Sequence, residues 1–131
     1  MTNRRAFLIG TATVLASTAK PSLPAFAGGH GRIGEFTGKS NHVTRGRAEV
    51  VTVNGKSQVI LLDDFWFDGA PDPKVALGRD GFDKNTLLGK LNANAGKQTY
   101  DVPANIDAGS YNEVWIWCEK FNVPLGVATL N

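Results

Sequence analysis

Short apolar segments separated by turn residues follow one another along the chain after residue 33. Segments 43–53 and 57–62 flank Asn54 and Gly55, a pair that readily adopts the positive φ angles of a type I′ turn, so the pattern predicts a β-hairpin. Gly46 in the first arm indicates a bulge or a close backbone approach. The second arm is continuously apolar from residue 59 to 62, which predicts a strand covered on both faces.

Four further segments have the length and composition of strands. They cover residues 75–77, 97–102, 111–119 and 123–130. Pro124 favours an edge position or the start of a strand for the last of them. Residues 87–91 fit either one helical turn or a loop, because Gly89 weakens a helix. Short strands at this close spacing predict an all-β domain.

Segment 111–119 has the clearest alternation in the chain. A strand repeats every two residues, so Val114, Ile116 and Cys118 are predicted to lie on one face. The opposite face then carries Glu113, Trp115 and Trp117.

The first 27 residues have the organisation of an export signal. Arg4 and Arg5 precede an apolar stretch at residues 6–16, and an A-x-A pattern ends at Ala27, which predicts cleavage before Gly28. The apolar stretch is shorter than the roughly 20 residues that span a bilayer. We therefore expect a signal peptide at 1–27, a flexible tail at 28–33 and one domain at 34–131.

The paired arginines, followed by Ala6, Phe7 and Leu8, resemble the twin-arginine motif, whose machinery exports folded proteins. Lys20 near the cleavage site fits this route, and a general secretory signal is the alternative. Either route predicts a periplasmic or extracellular protein with no membrane span in its mature part.

Charge excludes one class of partner. The chain has 131 residues, with 14 basic and 12 acidic side chains. The predicted signal contains three of the basic residues (Arg4, Arg5 and Lys20) and no acidic residue, so the mature part has a net charge of −1. A nucleic-acid partner is not expected, because phosphate binding needs a clustered basic surface.

Cys118 is the only cysteine, which excludes internal disulfides, zinc ribbons and C-x-x-C redox motifs. A free cysteine is commonly an inert core residue. An exported thiol, however, oxidises unless it is shielded or used. Trp115 and Trp117 either pack a sheet face or shield a redox group at Cys118 from water.

Copper is disfavoured, because a blue-copper site needs a thiolate, two imidazoles and usually a methionine. The only imidazoles are His30 and His42, and the only methionine is Met1. His42 and Cys118 alone would form an incomplete site. The C-x-x-C-H motif for covalent haem is absent, while non-covalent haem with Cys118 or His42 as axial ligand stays open. Hydrolysis with His42 as a base for Cys118 is poorly supported.

The acidic group Asp63, Asp64, Asp68 and Asp72 offers oxygen ligands to calcium, a hard cation. Its spacing matches no EF-hand loop, and aspartate beside glycine and proline is more often a turn former. Asp64, Asp68 and Asp72 are the calcium candidates.

Nearly all of the mature chain resembles the DM-thirteen (DM13) family, which is labelled an electron-transfer domain and occurs beside DOMON domains in Skeletor-type proteins. Its motifs appear here in order as Gly34-x-Phe36, His42-Val43-x-x-Gly46, Phe65-x-Phe67, Gly69-Ala70-Pro71-Asp72, Leu88-Gly89-x-Leu91, Gly96-x-Gln98-x-Tyr100-x-x-Pro103, Tyr111-x-x-Val114, Trp117-Cys118-x-x-Phe121-x-Val123 and Gly126-x-Ala128-x-Leu130.

The resemblance implies an antiparallel β-sandwich and a redox role for Cys118, either as a bare thiol or as the attachment point of a prosthetic group such as haem. No DOMON or cytochrome-like neighbour accompanies the domain in this sequence, so any electron partner is expected to be a separate protein.

We therefore predict an exported electron-transfer domain, rather than a stand-alone enzyme, centred on Cys118 with Trp117, Trp115 and His42 around it. The alternative is a non-catalytic binding or adhesion module in which Cys118 is a core residue and loop 63–73 is the contact surface. A weaker third hypothesis is calcium-stabilised carbohydrate or surface binding through the acidic loop. The cofactor is unidentified.

Overall fold

A computed structural model describes residues 31–131 of the chain. The predicted signal peptide with Arg4 and Arg5, the predicted cleavage site between Ala27 and Gly28, and His30 lie outside these residues. The strands are β1 (Arg32–Gly38), β2 (Thr44–Arg45), β3 (Arg47–Val53), β4 (Lys56–Leu61), β5 (Trp66–Phe67), β6 (Pro73–Gly78), β7 (Gly89–Lys90), β8 (Gln98–Val102), β9 (Glu113–Cys118) and β10 (Val123–Thr129).

Eight of these strands form one antiparallel sheet in the order β7-β6-β9-β10-β1-β3-β4-β8. The sheet curls into a nearly closed, barrel-like sandwich, which confirms the predicted all-β sandwich. β2 and β5 pair separately as a small two-stranded sheet. Within residues 31–131, no helix has the length and apolar composition needed to cross a membrane.

The predicted hairpin is confirmed at its turn. Asn54 and Gly55 have φ angles of 54° and 78°, and Val53 pairs with Lys56 across the turn. The first arm is shorter than predicted, because the strand is interrupted at Gly46, whose φ is 93°. The two residues before this break pair with β5 instead, and only Arg47–Val53 continues the hairpin.

The core lies between the two halves of the curled sheet. Val59 and Leu61 of β4 face this core, whereas Ile60 is buried on the opposite face, as the continuous apolar run predicted. Val114, Ile116 and Cys118 of β9 also face the core. Val75–Leu77 is confirmed as part of β6, and the predicted strand 97–102 is confirmed as β8 except for Lys97.

Two predicted boundaries change. β1 begins at Arg32, inside the segment predicted as a flexible tail. Arg32 pairs with Val50, and its guanidinium donates to the carbonyl oxygens of Ala108 (3.1 Å) and Tyr111 (2.7 Å). Pro124 lies in an internal strand, so the predicted edge position is wrong and a strand start is correct. The irregular register between Ile116 and Trp117 accommodates the proline.

The segment that the sequence left open, 87–91, contains the two-residue strand β7 rather than a helix. A single 3-10 turn at Lys84–Thr86 precedes it. Thr86 is buried and fastens this turn to β6, because its hydroxyl accepts from the Leu77 N–H (2.8 Å) and lies 2.8 Å from the Leu77 carbonyl oxygen.

Candidate functional site

Cys118 is the last residue of β9, and its side chain lies in the core. It is 1% exposed, carries a free thiol and pairs through its backbone with Pro73 on one side and Val123 on the other. Phe65, Phe67 and Leu125 belong to the same buried cluster. The sulfur is therefore shielded from solvent by apolar side chains.

The antiparallel topology gathers four loops at the end of the sheet where Cys118 lies, which we call the Cys118 end. β9 ends there, β6 and β10 begin there, and the small β2–β5 sheet lies at the same end. The loops are 39–43, 62–72, 91–97 and 119–122. This end therefore contains most of the residues that sequence analysis singled out.

A lysine ties two of these loops together beside Cys118. Lys74 contacts the Glu119 carboxylate and lies 3.3 Å from Asp72, while the Glu119 N–H donates to the Asp72 carbonyl oxygen (3.1 Å). The hydrogen bond to Glu119, followed by the bond to Asp72, raises the pKa of Lys74. The turn after Cys118 is thus fixed to the loop before β6.

His42 lies at the Cys118 end but in a different environment from the thiol. Its Nδ1 is 2.8 Å from Asp68 Oδ1, and its ring lies 5.7 Å from that of Phe67. Asp68 also accepts from the Val43 N–H (2.9 Å). This backbone bond, and then the His42 imidazole, hold the pKa of Asp68 below its usual value. Among residues 31–131, no hydrogen bond joins His42 to Cys118.

Trp115 and Trp117 occupy the outer face of β9, opposite Cys118. The ring of Trp117 stacks on Phe82 with centroids 3.8 Å apart and planes 9° from parallel. Trp115 meets Trp117 edge to face at 6.1 Å, and its Nε1 donates to Glu113 (3.0 Å). These aromatic rings cover the outer face rather than the side on which the thiol lies.

The structure does not bring the calcium candidates together. Asp64 binds Arg47, Asp68 binds His42 and Val43, and Asp72 pairs with Lys74. In the described part of the chain, no group of three or more His, Cys, Asp or Glu side chains is arranged to hold a metal ion. The carboxylates instead fix loops, as turn-forming aspartates often do.

A haem-sized group does not fit at Cys118 in this conformation. The thiol is enclosed by the core, and Cys118 lines neither the surface groove beside Tyr111 nor the one beside Val51. Attachment there would require the Cys118 end to open.

Gln98 and Tyr100 form a buried polar network that no pattern along the chain singles out beyond the family resemblance. Gln98 Oε1 accepts from the Tyr100 hydroxyl (2.6 Å) and from two backbone N–H groups, those of Asn92 and Ala93. Its Nε2 donates to the Ala93 carbonyl oxygen (2.8 Å). The network closes loop 91–97, and burial raises the pKa of Tyr100.

Phe82 is a further residue that no sequence pattern singled out. It follows Asp80 and Gly81, whose φ angles of 53° and 139° turn the chain back over the sheet. A single aromatic residue after a turn has no periodicity, so no pattern linked it to Trp117.

Comparison with known proteins gives one match. A family model described as "Electron transfer DM13" matches residues 35–130, which is most of the chain. No curated protein and no solved structure shows significant similarity to the sequence.

Proposed function

The chain belongs to the electron transfer DM13 family, and from this premise we propose that it is an exported electron-transfer domain in which Cys118 is the redox group. The family assignment carries the general function. The role of Cys118, the export and the partner are the steps that we add.

One observation supports a redox role for Cys118 most directly. Trp117 lies within β9, immediately before the cysteine, and its ring stacks on Phe82 at the outer face. The buried thiol is therefore one peptide unit from a stacked aromatic pair that reaches the surface. An electron can tunnel between them without the thiol being exposed, and the apolar core protects the sulfur from thiols and peroxides.

We take Cys118 to act as a bare thiol, because the core leaves no room for a large attached group. On oxidation the thiol gives one electron to a one-electron oxidant, its proton leaves to water through a transient opening of the Cys118 end, and a thiyl radical remains. Reduction returns the electron and the proton. The oxidant is a separate redox partner protein, which we expect to contact the outer face of β9.

Export is supported by the twin arginines at positions 4 and 5 and by the A-x-A pattern ending at Ala27. We propose that the protein reaches the periplasm or the cell exterior through the twin-arginine machinery, and that cleavage leaves residues 28–131. Folding before export would place the thiol inside the core before it meets an oxidising compartment.

A binding or adhesion module is the second candidate function, and the burial of Cys118 favours it. In that case the thiol is only a core residue, and the contact surface is the Cys118 end. Trp66 and Phe121 are exposed there by 40% and 57%. Arg45 lies over the Trp66 ring at 4.5 Å.

Thiol reactivity distinguishes the two candidates in protein exported by its own signal, while intact mass and visible absorption test whether Cys118 carries an attached group. The redox proposal predicts that a one-electron oxidant consumes the Cys118 thiol of the folded protein, and that Cys118→Ser abolishes the reaction. Val114→Ala is the matched control, because it removes another inward-facing β9 side chain and keeps the thiol. A thiol inert to the oxidant would leave the binding module, and an added mass or a visible band would contradict the bare-thiol role.

A further inference from the structure

A surface groove runs along the outer face of β9, beside the stacked Phe82–Trp117 pair. Its volume is about 640 Å³, and its walls come from loop 79–85, from Tyr111 before β9 and from Asn122 after it. Phe82 both lines the groove and stacks on Trp117. An aromatic ring entering the groove would therefore meet an existing stack.

Hydrogen bonds hold the groove in shape. The Tyr111 hydroxyl donates to Asp83 (2.9 Å), and Arg79 Nε donates to the Ser110 carbonyl oxygen (2.7 Å). Glu113 accepts from the Gly81 N–H (2.8 Å), which ties the same loop to β9. A site whose walls are fixed in advance loses little entropy when a ligand binds.

The charges in the groove favour an anion. Arg79 and Lys84 are cationic, and the only acidic wall residue is Asp83. That carboxylate already accepts from Tyr111 and from the Asn85 N–H, bonds that lower its pKa, the backbone bond first. Arg79 also lies over the Tyr111 ring at 5.4 Å, so its guanidinium is held at the groove wall. In the described part of the chain, Lys84 makes no salt bridge.

We propose that this groove binds a planar aromatic anion, with the ring against Phe82 and the anionic group near Arg79 and Lys84. Amide groups of Asn85 and Asn122 on the walls would hydrogen-bond its polar substituents. A redox-active member of this class, such as an acidic quinone, would accept one electron beside Trp117 and become a semiquinone. That last step rests on the proposed function, whereas binding does not.

Naphthalene-2-sulfonate is a suitable probe, and sulfate and 2-naphthylmethanol separate the contributions of charge and ring. Binding is followed by the NMR signals of the tryptophan indole N–H groups and of the asparagine side-chain amides. Trp66 is an internal reference, because it lies on β5 outside the groove. We expect saturable shifts at Trp117, Asn85 and Asn122, with Trp66 unchanged.

Variants assign the binding to its residues. Lys84→Gln should weaken binding roughly threefold, as for loss of one exposed ion pair. Phe82→Leu should weaken it roughly tenfold through loss of ring stacking. Lys56→Gln, an exposed lysine at the hairpin, is the matched control and should change nothing. If Phe82→Leu disturbs the fold, the Lys84 variant still tests the site.

Sulfate shifting the same signals as strongly as the probe would overturn the proposal, since only an ion site would then exist. Equal shifts at Trp66, or no saturation, would overturn it as well. Cys118→Ser should bind the probe as the wild type does. Normal binding in that variant together with unchanged redox behaviour would contradict the redox proposal and leave the groove intact.

Discussion

Trp117 and Cys118 are neighbours in sequence, yet they belong to opposite sides of the sheet. The indole packs 3.8 Å from Phe82 on the outer face, and the thiol is 1% exposed in the core. This arrangement follows from the two-residue period of β9. The buried redox candidate, Cys118, is therefore adjacent in sequence to a residue, Trp117, whose side chain lies on the outer face.

The Gln98 network should contribute strongly to stability. Gln98→Ala leaves the Ala93 N–H and the Tyr100 hydroxyl without an acceptor, while the Asn92 N–H keeps its bond to the Tyr100 hydroxyl, so we expect a loss of about 2–3 kcal/mol in the free energy of unfolding. Denaturant unfolding measures it. Gln58→Ala on β4 is the control, and its cost should be about 0.5 kcal/mol or less. Equal costs would show that the network contributes nothing special.

Gly46 is expected to tolerate no side chain. Its φ is 93°, and a Cβ there would overlap the Asp64 carbonyl oxygen. Gly46→Ala should therefore cost about 3 kcal/mol or more. Gly55→Ala has a similar positive φ but open space around it, so its cost should stay near 1–2 kcal/mol. Thermal unfolding of both variants measures the two stability losses. A smaller loss for Gly46→Ala than for Gly55→Ala would contradict the close approach of Gly46 to the Asp64 carbonyl oxygen.

The Asp68 carboxylate should make stability depend on pH. Its pKa is lowered from the ordinary 3.8 by the Val43 N–H first and then by His42. A carboxylate whose pKa is lowered by folding stabilises the fold at pH values above its pKa in the unfolded chain. This contribution is lost as the pH falls through the pKa of the folded state.

The difference in unfolding free energy between wild type and Asp68→Asn measures this effect between pH 7 and pH 2. We expect the wild type to be more stable at pH 7 and the gap to close in acid. A gap at position 68 that does not change with pH would refute the assignment.

The export route can be tested through its motif. Replacing both Arg4 and Arg5 by lysine should stop export, because the twin-arginine machinery requires the arginine pair. Cell fractionation followed by detection of the cleaved protein gives the result. Lys20→Arg keeps the charge near the cleavage site and serves as the control. Export that continues at the wild-type level would mean that the general secretory route carries the protein.

The local strand pattern could be predicted from the sequence because it depends on neighbouring residues. Asn54 and Gly55 determined the turn, and alternation placed Cys118 opposite Trp117. The long-range features could not be predicted in this way. Phe82 reaches Trp117 only because loop 79–88 folds back over the sheet, and Gln98 closes a loop through contacts with backbone groups.

His42 shows the same limit in another form. Its pairing with Asp68 joins two loops 26 residues apart, and no spacing rule predicts such a contact. The sequence placed His42 near Cys118 only as a hypothesis. The topology puts both at one end of the sheet, but the imidazole's hydrogen bond there is with a carboxylate.

The most direct test of the central claim is an equilibrium redox titration of the mature, folded domain. If Cys118 is the redox group, the wild type and the Val114→Ala control take up and release a stoichiometric number of electrons reversibly. Cys118→Ser then exchanges none, although it remains folded. Identical titration curves for wild type and Cys118→Ser, or no electron exchange by the wild type, would contradict the account.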